Sequence, residues 1–191
     1  MPSFTRKVIL STFNDLLETT PFEKITVSAI IKASGISRNT FYYHFRDIYD
    51  LLDNWLRMKL GQYESAEEGE TWEEQIKALL HSCVENKRRV YHLYDSISRG
   101  RMEQFVFSST NDLVSAYVRA YAEGRNVPPQ RIDAVVDICR YAIIGFFLHF
   151  LWNGMTADID KSVDELSVVY NDIVRGTLRS DEGECAAAPH K

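Results

Sequence analysis

One segment, residues 26–45, constrains the fold more than any other, because it has the pattern of two short helices joined by a tight turn. Its sequence is TVSAIIKASGISRNTFYYHF. Thr26 is a favourable N-cap, and the apolar residues after it recur at helical spacing. Gly35 then ends the first helix, because glycine adopts a positive φ without steric cost. The segment therefore predicts a helix, a corner and a second helix.

The second helix has one apolar face and one face suited to contact with DNA. Ser37 caps it, and Phe41 and Phe45 point inward one turn apart. The opposite face carries hydrogen-bond donors, hydroxyls and flat rings, on Arg38, Asn39, Thr40, Tyr42, Tyr43 and His44. The major groove admits a helix and presents base edges and thymine methyl groups to it. We therefore interpret the segment as a helix-turn-helix that binds double-stranded DNA.

The same residues resemble the DNA-binding domain of the TetR (tetracycline repressor) family, whose pattern is roughly T-V-x-x-I-A-x-x-A-G-V-S-x-G-T-x-Y-x-H-F. The matching positions share one register without a gap and are Thr26, Val27, Ile30, Gly35, Ser37, Thr40, Tyr42, His44 and Phe45. The resemblance implies an all-α fold. An N-terminal three-helix helix-turn-helix domain would be joined by a fourth helix to a C-terminal helical domain for ligand binding and dimerisation.

The resemblance also suggests roles for individual residues. Thr40, Tyr42 and His44 would hold phosphates, and the start of the second helix, at Thr26 and Ser28, would donate to the DNA backbone. We expect contacts with base edges from Arg38, Asn39 and Tyr43. The full set of candidate DNA-binding residues is Thr26, Ser28, Ser37, Arg38, Asn39, Thr40, Tyr42, Tyr43, His44 and Arg46. The alternative for each is a solvated surface side chain, and for Tyr42 it is packing.

Several positions depart from the family pattern. Asn39 stands where the family usually has Gly, so its amide projects into the groove, where Asn pairs well with adenine. Pro21 replaces the usual Gly after the first helix. Ile48 replaces a Lys that often binds phosphate in the family, and Arg46 is the residue that we expect to compensate.

The charge distribution limits how the chain can bind DNA. The net charge is −5. Residues 1–50 carry six basic and five acidic residues, whereas the remainder carries 16 basic and 22 acidic ones. An acidic body repels DNA everywhere except at the least acidic part. Affinity would therefore depend on hydroxyls, backbone amides and dimerisation more than on bulk charge.

Localisation and thiol chemistry follow from composition. The longest apolar run, Tyr141–Trp152, is shorter than the roughly 20 residues that span a bilayer, so we expect a cytoplasmic protein with no membrane contact. Acidic and amide residues interrupt the N-terminus, which argues against a signal peptide. Cys83, Cys139 and Cys185 form no CxxC pair, so neither a disulfide framework nor a metal site is expected. Cys83 and Cys139 are predicted to be buried thiols.

Helical periodicity predicts about nine helices, and the chain as a whole divides into three regions. These are a DNA-binding domain at 1–50, a helical regulatory and dimerisation domain at 51–178, and a disordered tail at 179–191. The acidic stretch Glu67–Glu70 is expected to mark the boundary between the DNA-binding domain and the body. Within the body the expected helices are Tyr91–Ile97, ended by Gly100, a single helix from Phe105 to Tyr121, and one that starts at Pro128–Pro129. Capping boxes are predicted at Thr71 with Glu74 and at Ser162 with Glu165.

The last two predicted helices are candidates for dimerisation. In the family the corresponding helices of two subunits form a four-helix bundle, which here implies a homodimer through residues 129–153 and 162–178. Residues 143–152 contain more apolar side chains than one helical stripe can hold, so some of them face a pocket or another chain. The alternative is a helix central to its own domain.

The body is rich in aromatic residues that would suit an apolar or aromatic ligand with polar handles. The candidate ligand-binding residues are Tyr91, Tyr94, Phe105, Tyr117, Tyr121, Tyr141, Phe147 and His149. The competing interpretation is that these aromatics form an ordinary core.

The leading functional hypothesis is a homodimeric transcriptional regulator that binds a palindromic operator and acts as a ligand-responsive repressor. The sequence around PFEKITV and RNTFYYHF also resembles a subgroup that includes the activator of dihydroxyacetone kinase operons, which responds to a protein coactivator. The partner is then either a small-molecule effector or a protein coactivator. A helical scaffold that has lost DNA binding is the third possibility. No catalytic motif is evident, so we expect neither enzyme activity nor a cofactor.

Overall fold

The chain is helical throughout the part that the computed structural model describes, which is residues 2–64, 71–109 and 111–178. Its helices are α1 (Pro2–Thr19), a 3-10 turn (Phe22–Lys24), α2 (Val27–Ser34), α3 (Arg38–His44), α4 (Ile48–Glu64), α5 (Trp72–Glu85), α6 (Lys87–Tyr94), α7 (Arg99–Ser109), α8 (Asn111–Ala122), α9 (Pro129–Trp152) and α10 (Ile159–Thr177). No strand occurs in these ranges. The all-α prediction is confirmed. The predicted tail at 179–191 and the stretch Glu67–Glu70 lie outside the described residues.

The contacts divide the chain into two compact units, one ending at Phe105 and the other beginning at Val106. The core of the first unit lies among α1 to α4. Phe13 of α1 is fully buried and meets Phe22 and Trp55 edge to face, at ring-centre distances of 6.1 and 5.9 Å. The core fixes the orientation of α3, because Phe41 belongs to the same cluster.

Helix α6 also packs against this first core, which the sequence did not suggest. Leu93 is buried in the same cluster as Phe13. Arg89 donates through Nε to Glu18 at 2.7 Å, and its Nη1 lies 3.3 Å from the Asn14 side-chain oxygen. His92 Nδ1 lies 2.7 Å from the backbone oxygen of Leu17 near the end of α1. These contacts fasten α6 to α1.

The second unit contains α8, α9 and α10. Val118, Val163 and Val174 are fully buried, and the Tyr117 hydroxyl donates to the side-chain oxygen of Asn171 on α10. Arg140 of α9 is buried at 8% exposure. Its Nη2 donates to the backbone oxygen of Phe107 on α7 at 3.0 Å.

Buried thiols are confirmed at Cys83 and Cys139, which are both free cysteines. Burial raises the pKa of Cys83 to about 11. Burial also raises the pKa of Cys139, while a hydrogen bond with Tyr170 acts in the opposite direction. Thiolates are disfavoured at both positions near neutral pH, so neither is suited to nucleophilic chemistry.

Several local predictions differ from the structure. Ten α-helices occur in the described ranges instead of about nine, since Phe105–Tyr121 divides between α7 and α8. Gly100 lies inside α7, because Ser98 accepts a hydrogen bond from the Arg101 amide and begins the helix there. The short helix predicted at Tyr91–Ile97 runs from Lys87 to Tyr94.

The two predicted capping boxes have opposite outcomes. The box of Thr71 with Glu74 is confirmed, with both reciprocal hydrogen bonds present. The box of Ser162 with Glu165 is wrong, because α10 begins earlier, where the Asp158 carboxylate accepts a 3.0 Å hydrogen bond from the Lys161 amide. Asp158 occupies the N-cap position, for which Asp is as favourable as Ser.

Helix α9 is long and apolar enough, by length and composition, to cross a membrane. The expectation that no segment meets that test is therefore wrong for α9. Core helices of soluble proteins meet the same test, so the finding is weak evidence for a membrane span. The buried Arg140 in the middle of this helix would also be costly in a lipid bilayer.

Candidate nucleic-acid interface

The corner between α2 and α3 has the geometry predicted from the sequence. The Thr26 hydroxyl accepts a 3.1 Å hydrogen bond from the Ala29 amide and caps α2. Gly35 has φ of +70° and donates its amide to the Ile31 carbonyl at 3.0 Å. A residue with a side chain would be strained at that φ, so glycine is required to turn the chain tightly into α3.

Helix α3 is fixed at its start by a cap and along one face by aromatic packing. Ser37 Oγ accepts from the Thr40 amide at 3.1 Å, and it lies 2.8 Å from Thr40 Oγ1. Phe41 and Phe45 are 0% and 1% exposed, with their ring centres 5.9 Å apart. Their burial leaves the other face of α3 in solvent.

The solvent face of α3 carries the residues predicted to contact bases. Tyr43 is 75% exposed and Tyr42 46% exposed. Arg38 and Asn39 are exposed at the start of the helix. The Arg38 guanidinium lies over the Tyr42 ring, 5.6 Å from its centre, with Nη2 3.5 Å from the hydroxyl. Asn39 keeps its amide free of side-chain partners in the described part of the chain, so it is available to a base edge.

The remaining predicted DNA contacts lie at the two sides of this face. Ser28 is exposed in the first turn of α2, next to the cap at Thr26. His44 is half-buried and meets Tyr43 edge to face at 5.0 Å. Arg46 follows α3, with its side chain 88% exposed. The structure thus brings the ten candidates onto α2, α3 and the segment after α3, all within the first compact unit.

Asp50 is a residue of this region that the sequence analysis missed. It accepts from the Arg46 amide at 2.8 Å, and its carboxylate lies 3.8 Å from Arg46 Nε. The i, i+4 spacing of opposite charges was the available signal. Asp50 orients Arg46 and offsets part of its charge.

The position of Ile48 explains one departure from the family pattern. Ile48 is half-buried and packs against the hydrophobic core of the first unit. Asp47 accepts hydrogen bonds from the amides of Tyr49 and Asp50, both at 2.8 Å, and so caps α4 immediately before Ile48 becomes helical. The residue at this position therefore stabilises the fold, where a Lys would offer a charge to phosphate.

The predicted ligand-binding residues are divided between the two compact units. Tyr91 and Tyr94 belong to the first unit and contact each other at 6.2 Å. The second unit contains Tyr117, Tyr121, Tyr141, Phe147 and His149, while the side chain of Phe105 lies outside what is described. Tyr141 and His149 are exposed, and His149 contacts the Asn153 amide.

One small cavity, with a volume of about 20 Å³, lies in the first unit. Its walls are Leu52, Asp53, Leu56, Leu93, Ile97, Arg101 and Met102. It has room for about one water molecule and contains none of the predicted ligand contacts. Among the described residues, no group of three or more His, Cys, Asp or Glu side chains is placed to hold a metal ion.

Comparisons with known proteins agree with this architecture. Residues 9–54 match the family described as "Bacterial regulatory proteins, tetR family", and residues 70–172 match the "Transcriptional regulator C-terminal region". A solved structure, "Dihydroxyacetone kinase operon activator DhaS", is similar with a TM-score of 0.69 and 17% identity, over 90% of this chain and 96% of that chain. That identity shows the fold alone. A search of curated proteins gives no match. The two family matches cover the helix-turn-helix and most of the helices after it, and the chain therefore belongs to the TetR family of transcriptional regulators.

Proposed function

We propose that this protein is a cytoplasmic, homodimeric and ligand-responsive repressor that binds a palindromic operator. In this proposal residues 1–50 read DNA, residues 51–178 bind the effector and form the dimer, and the protein has no catalytic activity. The observation that carries the proposal is the exposed face of α3, which projects polar and aromatic side chains from a helix held by Phe41 and Phe45. Membership of the TetR family supports the same reading.

The proposed contacts with DNA divide into two groups, base contacts and phosphate contacts, which differ in their effect on sequence specificity. Arg38, Asn39 and Tyr43 are proposed to read base edges, since Arg pairs with guanine, Asn pairs with adenine and an aromatic ring packs on a thymine methyl. The surrounding hydroxyls, with His44 and Arg46, are proposed to contact phosphates. Phosphate contacts fix the orientation of the protein, whereas base contacts select the sequence.

A second copy of the chain is supported by exposed apolar side chains on α9 and α10. Ile138, Tyr141 and Trp152 share one face of α9 and are 53%, 61% and 75% exposed. On α10, Val168 and Val169 are 61% and 56% exposed. Apolar groups at this density mark an association surface. Dimerisation through these helices would present two helix-turn-helix domains to the two halves of a palindrome.

Selection of random duplex DNA by the purified protein tests the proposal. The wild-type protein is compared with a Thr40→Ala/Tyr43→Ala double variant, which loses a phosphate contact and a base contact. A Thr19→Ala variant, altered at an exposed threonine of α1, is the matched control. The expected result is a palindrome enriched by the wild-type and control proteins and lost with the double variant. Absence of enrichment at low salt, from folded protein, would contradict the proposal.

A coactivator-dependent activator is the second candidate function. It is favoured by the similarity to a structure named as an operon activator. Transcription from a promoter that carries the selected palindrome separates the two functions, because a repressor lowers it and an activator raises it. A scaffold without DNA binding would enrich no sequence at all.

A further inference from the structure

The Tyr42 ring is anchored to the core of the first unit through its neighbour on α3. The ring centres of Phe41 and Tyr42 are 5.4 Å apart, with an angle of 88° between the two planes. Edge-to-face pairs of this kind are favourable. Phe41 is fully buried in the core, whereas Tyr42 is 46% exposed. The fold therefore presents one part of the Tyr42 ring to solvent in a fixed position.

The side chain of Arg38 lies over this ring. Arg38 precedes Tyr42 by four residues on α3, so the two side chains share one face of the helix. The guanidinium carbon is 5.6 Å from the ring centre, and Nη2 is 3.5 Å from the hydroxyl oxygen. A cation at this distance from an aromatic face is attracted to it. Arg38 thus has a preferred position in the free protein, although it is exposed.

The charge of Arg38 is also available to DNA. The charge of Arg46 is partly offset by the Asp50 carboxylate, which lies 3.8 Å from Nε. Arg38 has no carboxylate partner of this kind within the part of the chain that the structure describes. A guanidinium that lies over a ring keeps its N–H donors in its own plane, where their fork matches the O6 and N7 acceptors of guanine.

We propose that Tyr42 is a positioning residue for base recognition, and that its ring holds Arg38 ready for a guanine in each half of the operator. The inference rests on the proposed function and adds the base that the first turn of α3 selects. Ordering a long side chain costs free energy on binding, and the ring lowers that cost because Arg38 is ordered beforehand. The ring of Tyr42 acts through Arg38, whereas its hydroxyl keeps the separate role of a phosphate contact.

The first arm of the test needs no DNA. The side-chain proton signals of Arg38 are assigned by NMR in the wild-type protein, in Tyr42→Phe and in Tyr42→Leu. Protons above an aromatic face are shielded, so we expect the Hδ and Hε signals of Arg38 to be shifted upfield in the wild-type protein and in Tyr42→Phe. The shift should be lost in Tyr42→Leu. The same Arg38 signals in all three proteins would overturn the inference.

The second arm measures affinity for duplexes that carry guanine or adenine at the operator position whose preference is abolished in Arg38→Met. Tyr42→Leu is expected to lower the preference for guanine by about twofold to fivefold, the range for a cation over a ring at an exposed site. Tyr42→Phe is expected to weaken binding to both duplexes equally, because a phosphate contact does not select a base. In the Arg38→Met background, Tyr42→Leu should not change the preference further.

Tyr49→Leu is the matched control. Tyr49 is 45% exposed and also lies under an arginine, with the Arg101 guanidinium 4.3 Å from its ring centre, but it belongs to α4. This variant should leave the preference for guanine unchanged.

An unchanged or higher preference for guanine in Tyr42→Leu would overturn the inference, and so would an equal loss of preference in Tyr42→Phe. If Arg38→Met kept every base preference, the inference would fail, while an enriched palindrome would still support the proposed function. If the wild-type protein enriched no DNA, the proposed function would be refuted, and the NMR arm would still decide whether the Tyr42 ring holds Arg38.

Discussion

Ser37 Oγ lies 2.8 Å from Thr40 Oγ1 and also accepts the Thr40 amide at 3.1 Å. The Ser37 hydroxyl thus caps α3 and also orients the Thr40 hydroxyl, which is proposed to contact phosphate. The first turn of α3, with Arg38 and Asn39, is fixed before DNA binds. The cap is therefore part of the DNA-reading surface as well as of the fold.

Replacing Ser37 with Ala should destabilise the protein by about 1 kcal/mol, because the amide of Thr40 loses its acceptor. The free energy of unfolding in urea measures the change. Ser11→Ala, at an exposed serine within α1, is the control and should alter stability by no more than a few tenths of a kcal/mol. Equal stability of the Ser37 variant and the wild-type protein would mean that the cap contributes nothing.

Replacing Leu93 with Ala should destabilise the first compact unit by about 2–5 kcal/mol, because Leu93 is buried in its core and truncation leaves a cavity. The prediction treats α6 as part of the core that supports α3, the helix proposed to contact bases. Unfolding in urea followed by tryptophan fluorescence, to which Trp55 of the same core contributes, reports the loss. A change below 0.5 kcal/mol would show that α6 packs only loosely there.

Stability should fall in alkaline solution partly because of Cys83. Its pKa is raised by burial to about 11 from an ordinary value of 9.0. Above pH 9 the unfolded chain releases this proton while the folded chain retains it, so the contribution of Cys83 is present below about pH 9 and is lost as the pH rises towards 11. Urea unfolding between pH 8 and pH 10 should show a weaker pH dependence in Cys83→Ala. The same slope in both proteins would count against a buried, protonated thiol.

Replacing Trp152 with Glu should convert a dimer to a monomer, because a charge would enter the proposed apolar interface. Analytical ultracentrifugation measures the mass. Phe4→Glu is a matched control, since Phe4 is 73% exposed and Trp152 is 75% exposed, but Phe4 lies on α1. If the Trp152 variant remained dimeric, α9 would not form the interface in the way proposed.

The sequence predicted the local features of the helix-turn-helix well, because these features depend on neighbouring residues. Thr26 and Ser37 cap helices as expected, and Gly35 has the required positive φ. Phe41 and Phe45 are buried at the spacing of one turn. Cap chemistry and helical periodicity act over a few residues, so a single sequence contains them.

Features that depend on distant residues could not be predicted in this way. The packing of Leu93 against the α1 core brings together segments about 80 residues apart, and no local pattern indicates it. The contact of Arg140 with Phe107 could not be predicted either, because nothing near Arg140 in the sequence indicates the partner of an arginine within an apolar helix. The misplaced start of α10 had a local cause, since both Asp158 and Ser162 are good N-caps and the sequence alone did not rank them.

The most direct test of the account is the mass of the complex formed on the selected palindrome as salt is raised. We predict two protomers on each duplex and much weaker binding to a duplex that carries a single intact half-site. The affinity should fall steeply with salt, because phosphate contacts release counterions. A complex of one protomer per palindrome, or no complex at low salt from folded protein, would contradict the proposal of a dimeric DNA-binding regulator.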